Sequence, residues 1–247
     1  MGAYTGERDH WAATHSRQLS ADTLPRVDQH GRAQPRTFKP RRRRLSPTRQ
    51  AALERLEPLW SLDVDGPPLD ATAVFGRQAP VVLEVGCGAG ENALAAASAR
   101  PDIDVIAAEV HTPGIARVLA HIEANGLTNL RVVHGDALEF CARLATASLD
   151  EVWVFFPDPW PKPRQRQRRI VHPDRLGPLL RCLRPGGVLR LATDIDDYVE
   201  QMVQVCDAIP ELDGGIVERW EGRTMTRFEI KGIDAGRTIT DLSYRRV

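Results

Sequence analysis

The chain has 247 residues, of which 42% are hydrophobic, 27% charged and 6% aromatic, a balance that fits a globular protein and excludes fibrous and wholly disordered classes. No run of about 18 apolar residues occurs, and the opening Met1-Gly2-Ala3-Tyr4-Thr5-Gly6-Glu7 carries no apolar stretch, so a cytoplasmic protein with no membrane partner is expected. Net charge is zero, yet residues 1–50 hold eleven Lys and Arg against four Asp and Glu; a basic arm on an acidic body predicts a polyanionic partner, because clustered cations displace counterions from a phosphate backbone.

Residues 1–45 are rich in Arg, Gln, Thr and Pro without a sustained apolar period, which predicts a basic, largely disordered arm ahead of one domain over 46–247. Ser46-Pro47 suits a helix start. Ala52, Leu53, Leu56, Leu59 and Trp60 then recur at helical spacing, so this helix is expected to lay an apolar stripe on the domain. From residue 79 short apolar runs alternate with amphipathic segments: strands at 81–85, 105–108, 130–133, 152–156 and 188–192, helices at 92–99, 114–124, 138–144, around 176–183, and at 198–209. That alternation predicts an α/β fold, a doubly wound, mostly parallel sheet with helices on both faces. Asn125-Gly126 reads as a helix cap and residues 184–187 (Arg-Pro-Gly-Gly) as a turn into the fifth strand. Residues 216–220 and 240–244 are candidates for further strands whose order the pattern does not give. Cys87, Cys141, Cys182 and Cys206 lie too far apart for paired ligand spacing, so buried thiols are expected rather than a metal site or disulfides.

The first strand runs into Glu84-Val85-Gly86-Cys87-Gly88-Ala89-Gly90-Glu91, a glycine-rich strand-to-helix turn where a doubly wound fold binds a nucleotide. Glu109 follows the second strand, placed to accept hydrogen bonds from ribose hydroxyls, and Asp136 follows the third. Two cofactor classes compete for this arrangement. A dinucleotide puts its diphosphate at the helix amino terminus, and its fingerprint has Gly or Ala where this chain has Glu91. S-adenosylmethionine has no phosphate and carries a sulfonium cation, so a turn bracketed by Glu84 and Glu91 matches it better.

The fourth strand ends in Phe155-Phe156-Pro157-Asp158-Pro159-Trp160, followed by Lys162, Arg164, Arg166, Arg168 and Arg169, five cations in eight residues. An acid and an aromatic ring beyond a buried strand form a rigid site, and the cations beside it suit phosphates. Asp194 ends the fifth strand on the same rim. Trp153 reads as core, whereas Trp160 either stacks on a base or covers the sheet; His111 and His172 read as helix-start or surface residues and Tyr198 as helix packing. Three functions stay open at this point: an RNA methyltransferase, a methyltransferase for a small molecule or protein, and a nucleic-acid-binding protein without turnover. The cationic run favours the first over the second, and the intact acid set argues against the third.

The motifs of residues 155–160 with Lys162 and Arg168-Arg169-Ile170, then Ala192-Thr193-Asp194 and Thr226-Arg227-Phe228-Glu229, together resemble the bacterial tRNA guanine-N7 methyltransferases of the TrmB type over roughly residues 37–247. The resemblance implies methyl transfer from S-adenosylmethionine to N7 of guanosine 46 in the tRNA variable loop, with tRNA as partner and no metal, by a monomer or homodimer. It implies that Glu84, Glu109 and Asp136, with the glycines Gly86, Gly88 and Gly90, hold the donor. Asp158 is implied as the catalytic acid, also near the donor, and Lys162, Asp194 and Thr226, Arg227, Phe228 and Glu229 as substrate contacts, to which the charge argument adds Arg164, Arg166, Arg168 and Arg169. Cys87 stands where relatives often have Phe, Arg227 where Lys is common, and the arm exceeds the family core.

Overall fold

The computed structural model describes residues 36–38 and 45–247; the expectation of a disordered arm lies, apart from those few positions, outside the described residues. Helix α1 (Pro47–Trp60) starts at Ser46, whose hydroxyl accepts from the Arg49 N–H, with Pro47 in the first turn. Leu53 and Leu56 are buried, but Leu59 at the end of the expected stripe is 62% exposed. The chain continues through β1 (Ser61–Leu62), α2 (Ala71–Phe75), β2 (Val81–Val85), α3 (Glu91–Ala99), β3 (Asp104–Glu109), α4 (Thr112–Asn125), β4 (Leu130–His134), α5 (Ala137–Phe140) and β5 (Leu149–Phe155). A 3-10 segment (Pro163–Arg168) leads to α6 (Pro173–Cys182), β6 (Leu183–Thr193), α7 (Asp196–Asp207), β7 (Leu212–Val217), α8 (Arg227–Asp234) and β8 (Thr240–Arg246).

These strands form one eight-stranded sheet in the order β1-β4-β3-β2-β5-β6-β8-β7. All neighbours from β1 to β6 pair parallel, whereas β8 pairs antiparallel with both β6 and β7. The expected five strands and their crossovers are present. Each central strand is buried on both faces, which is why β2 and β3 read as continuous apolar runs rather than alternating ones. Val81, Leu83 and Val85 join one core with Leu138, Leu176, Leu179 and Met202 of α5, α6 and α7. Val82, Val105, Val132 and Trp153 join the opposite core with Leu53, Leu56, Ala93, Ile115 and Leu119 of α1, α3 and α4. All four cysteines are free and buried.

Two expectations need correction. Residues 184–187 are not a turn before the fifth strand but a bulge inside β6: Leu183 pairs with Leu149 and Val188 with Glu151, so the intervening residues loop out of register. The strand expected at 216–220 ends at Val217. Trp220 instead leaves the sheet to lie against Trp153, their ring centroids 5.2 Å apart, with the Arg190 guanidinium 4.0 Å from its own ring.

Candidate active site

Because β2 to β6 run parallel, their carboxyl ends share one edge of the sheet. The chain builds outward from β2 to β4 on one side and from β5 to β6 on the other, so the crevice between β2 and β5 is the topological switch point. The turn after β2 enters that crevice. Gly86 and Gly88 take φ of +75° and +59°, left-handed values that L side chains rarely adopt, and a Cβ on either would meet nothing within 4 Å. The Gly86 and Cys87 N–H groups donate to the Ala108 carbonyl at 2.9 and 3.0 Å. Gly114 lets α4 abut the turn, since a Cβ there would lie 2.2 Å from the Gly88 carbonyl oxygen. Gly90 does different work from its two neighbours: it lines neither of the two cavities described below and faces α4, where a Cβ would strike Val118 at 2.5 Å.

Two cavities of about 320 and 300 Å³ flank this turn and share Gly86, Gly88, Phe156 and Phe228 as walls. The larger gathers Gly86, Gly88, Glu109, Asp136 and Asp158 from three strand ends and the turn after β2. Each Glu109 oxygen accepts one backbone N–H, from Gly88 and from His111, both at 2.7 Å. A carboxylate oxygen has a second lone pair, so Glu109 fixes the turn and retains acceptor capacity. Asp136 caps α5 by accepting the Leu138 N–H at 2.9 Å, and burial pushes its carboxyl up from the usual range.

The smaller cavity holds Glu84, Glu91, Arg117, Thr226 and Arg227. Glu84 is 3% exposed, and its Oε2 has no hydrogen-bond partner among the described residues. Burial raises its carboxyl to about 8, against which hydrogen bonds from the Ala93 backbone and Asn92 pull downward. A buried acceptor with nothing to accept marks a place for a cationic or hydrogen-bond-donating ligand. The shift also has a thermodynamic sign. An unfolded carboxyl titrates near 4.5 and the folded one near 8, so the folded chain binds the extra proton between those values and loses stability as pH rises through them. Ligand-free protein is therefore expected to lose more thermal stability from pH 5 to pH 8 than the Glu84→Gln variant does. Parallel pH profiles in calorimetry would remove the shift.

Beyond β5 the turn carrying Asp158 is bracketed by two non-glycine residues with positive φ, Phe156 at +50° and Trp160 at +42°. Such conformations cost about 1–3 kcal/mol each and persist only where surroundings enforce them. Here the Phe156 N–H donates to the Ala192 carbonyl at 2.8 Å, and Trp160, 2% exposed, donates its indole N–H to the Thr37 carbonyl at 2.8 Å. Trp160 is thus buried and held through its indole; it is not a free platform for a base. Lys162 and Arg164 are exposed, Arg166 pairs with Asp197 at 2.9 Å, and the Arg168 guanidinium lies 4.9 Å from the Trp160 ring. Arg169 departs from the expectation of a phosphate contact. It is fully buried, bonded to the Pro159 carbonyl, Gln201 and Asp197, with Tyr198 4.4 Å below its guanidinium, so it ties the Asp158 turn to α7.

The segment before and within α8 closes the site. Thr226 caps the helix by accepting the Glu229 N–H at 3.2 Å, and Glu91 accepts the Arg227 N–H at 2.8 Å. The carboxylate that weighs against a diphosphate thus anchors α8 over the turn. Phe228 is 51% exposed and packs on Phe156 with ring centroids 5.3 Å apart. Glu229 and Asp194, expected as substrate contacts, line neither cavity. Glu229 is buried between Arg223 at 2.6 Å and Arg219 at 3.1 Å, while Asp194 pairs with Arg237 at 2.6 Å. In this conformation both orient basic side chains and helix α8.

Residues 78–242 match the model of a family described as "Putative methyltransferase". The chain is 44% identical to a tRNA (guanine-N(7)-)-methyltransferase of Streptomyces avermitilis over 86% of its own length and 75% of the relative's. It is 46% identical to that of a Nocardioides species over 85% of this chain and 86% of the relative. The chain belongs to the tRNA (guanine-N(7)-)-methyltransferase family. A crystal structure of the 16S rRNA methyltransferase KamB superposes with a TM-score of 0.51 at 18% identity, covering 74% of this chain and 96% of that one, which shows the shared methyltransferase fold. The methyl donor of this methyltransferase is S-adenosylmethionine, and the residues present fit it: an unpartnered buried carboxylate oxygen on Glu84, an open glycine turn, and Glu91 standing where a phosphate would be repelled. Reasoning from sequence missed Thr37, Phe38 and Arg117 as cavity residues. None stands in a motif, and only the folded chain brings them to the strand ends. Among the described residues no helix is long and apolar enough to cross a membrane.

Proposed function

We propose that this methyltransferase acts in the cytoplasm on guanosine 46 of the tRNA variable loop, methylating N7, with Asp158 as the catalytic acid group. The observation that carries the assignment is the position of Asp158 in one cavity with Glu109 and Asp136, at the start of a turn that runs directly into exposed Lys162 and Arg164. Bound S-adenosylmethionine supplies a methyl group activated on a sulfonium. Glu84 offers its unpartnered oxygen to a cationic part of the donor, Glu109 and Asp136 offer acceptors to its hydroxyl and amino groups, and the Gly86–Gly88 turn lets it lie against the backbone.

Guanine N7 presents a lone pair, so no side chain has to remove a proton before transfer. What the chain must supply is alignment, which can account for about 7–11 kcal/mol of a barrier. The methylated base is cationic, and the Asp158 carboxylate is placed to stabilise that charge as it develops and to accept from the guanine N–H edge. Lys162, Arg164, Arg166 and Arg168 provide the adjoining phosphate contacts, while Phe228 lines the same cavity as Asp158 and Thr226 and Arg227 line the smaller one beside it. The test is chemical. Purified protein incubated with S-adenosylmethionine and unmodified tRNA should yield one new 7-methylguanosine on digestion and mass spectrometry, located at position 46; methylation at another base or atom would overturn the assignment.

A further inference from the structure

The larger cavity has a wall that comes from far away in sequence. Thr37 and Phe38 line it together with Gly86, Glu109, Asp136 and Asp158, although α1 and the whole of the sheet follow them in the chain. They are held there. The Thr37 carbonyl accepts the Trp160 indole N–H at 2.8 Å across a separation of 123 residues, and Trp160 is itself buried and fixed two residues beyond Asp158. On the Phe38 side the Arg36 guanidinium sits 5.8 Å from the ring centroid, and its charge acts on Asp136.

We propose that Thr37 and Phe38 form a wall of the S-adenosylmethionine site, with the Phe38 side chain as an aromatic surface for the donor and Trp160 as the residue that positions the wall. This rests on the donor site described under the proposed function. The physical case has three parts. The other phenylalanines of this cavity, Phe156 and Phe228, pack on each other and also line the neighbouring cavity; Phe38 lines the larger cavity only and adds an apolar, flat surface of the kind on which a purine stacks. The hydrogen bond from Trp160 fixes the segment through its main chain, so Phe38 meets the ligand with little ordering left to pay for. The same turn carries the acid and pins the wall, so donor enclosure and the placement of Asp158 depend on one local structure. Trp160 therefore serves neither a base nor the core alone.

The test uses the full chain and the product S-adenosylhomocysteine as probe, with the dissociation constant read by calorimetry and the unfolding temperature read alongside. Phe38→Ala is expected to weaken binding about tenfold, the scale set by losing one stacking surface, with an unfolding temperature within about 2 °C of the parent, since Phe38 is only half-buried. Phe38→Tyr is expected to retain parental affinity within twofold, because the ring face is preserved. Unchanged affinity in Phe38→Ala, with the parent binding normally, would overturn the wall while leaving the donor site intact. A parent that does not bind the probe at all would overturn the donor site and the wall with it.

Discussion

Asp158→Ala is expected to lower turnover on tRNA by about 10²- to 10³-fold, the size of effect seen when a preorganised group facing developing charge is removed. The carboxylate is not loosely placed. The positive φ angles of Phe156 and Trp160 on either side of it, the Phe156 bond to Ala192 and the Trp160 bond to Thr37 leave the intervening turn few alternatives, so a truncated side chain is not replaced by local rearrangement. Glu84, Glu109 and Asp136, the proposed donor contacts, remain in place, and affinity for S-adenosylhomocysteine should therefore stay within a few-fold. Asp158→Asn preserves shape and removes charge; if charge is what matters it recovers little of the loss. Single-turnover methylation beside calorimetric binding separates the cases. Normal turnover in either variant would end the catalytic assignment, and a loss of donor affinity above tenfold would move Asp158 onto the donor as well as the guanine.

The second large effect is expected at Arg223, which touches neither cavity. It is fully buried, binds both oxygens of Asp241 at 2.9 and 2.7 Å and one oxygen of Glu229 at 2.6 Å, and lies 5.3 Å from the Phe156 ring. Arg223→Met would leave two buried carboxylates without that guanidinium, a change that costs about 3–5 kcal/mol. At about 2–4 °C per kcal/mol for a chain of this size, the unfolding temperature should fall by roughly 6–20 °C. The pH dependence gives an independent check. Burial would push the Glu229 carboxyl up, but hydrogen bonds from Arg219 and Arg223 outweigh it and hold the group below its usual 4.5. A depressed acid stabilises the fold above its unfolded value and loses that contribution as pH falls through the folded one. In the variant this preference weakens, so its deficit against the parent should shrink as pH falls below 4.5, where the parent loses the contribution of its depressed carboxyl. A variant that melts within about 2 °C of the parent at pH 7 would show that the network adds nothing to stability.

What the sequence discloses tracks how local each cause is. The strand at Val81–Val85 is read to the residue because five successive buried positions sit between Pro80 and a glycine turn. The cap at Gly126 follows from its φ of +61°, a value the Asn-Gly pair announces. Glu109, Asp136 and Asp158 meet in one cavity because strand ends in a parallel sheet must share an edge, which topology alone predicts. The failures have non-local causes. Helix α8 is unreadable by periodicity, since its inward face carries Glu229 and Gly232 while Phe228, Ile230 and Ile233 face outward, the reverse of the usual stripe. Arg169 reads as one more cation in a basic run, and nothing in its neighbours signals that Asp197 and Tyr198, nearly thirty residues on, enclose it. The two-residue β1 has no period to detect, and it exists only because β4 offers Val132 and Val133 as partners.

The position of β8 between β6 and β7 has a consequence for the order of assembly. A ribosome releases β7 before β8, yet among the described residues β7 has no neighbour in the sheet other than β8, and Asp241, the partner of Arg223, lies on β8 itself. The half of the molecule that carries the crevice, β2 to β5 with their helices, is complete in sequence well before that point, and its strands pair with one another in the order β4-β3-β2-β5. Synthesis from the amino terminus therefore builds the crevice between β2 and β5 first and adds the segment over its rim afterwards, when β8 docks on β6 and gives both β7 and the α8 ion network something to attach to.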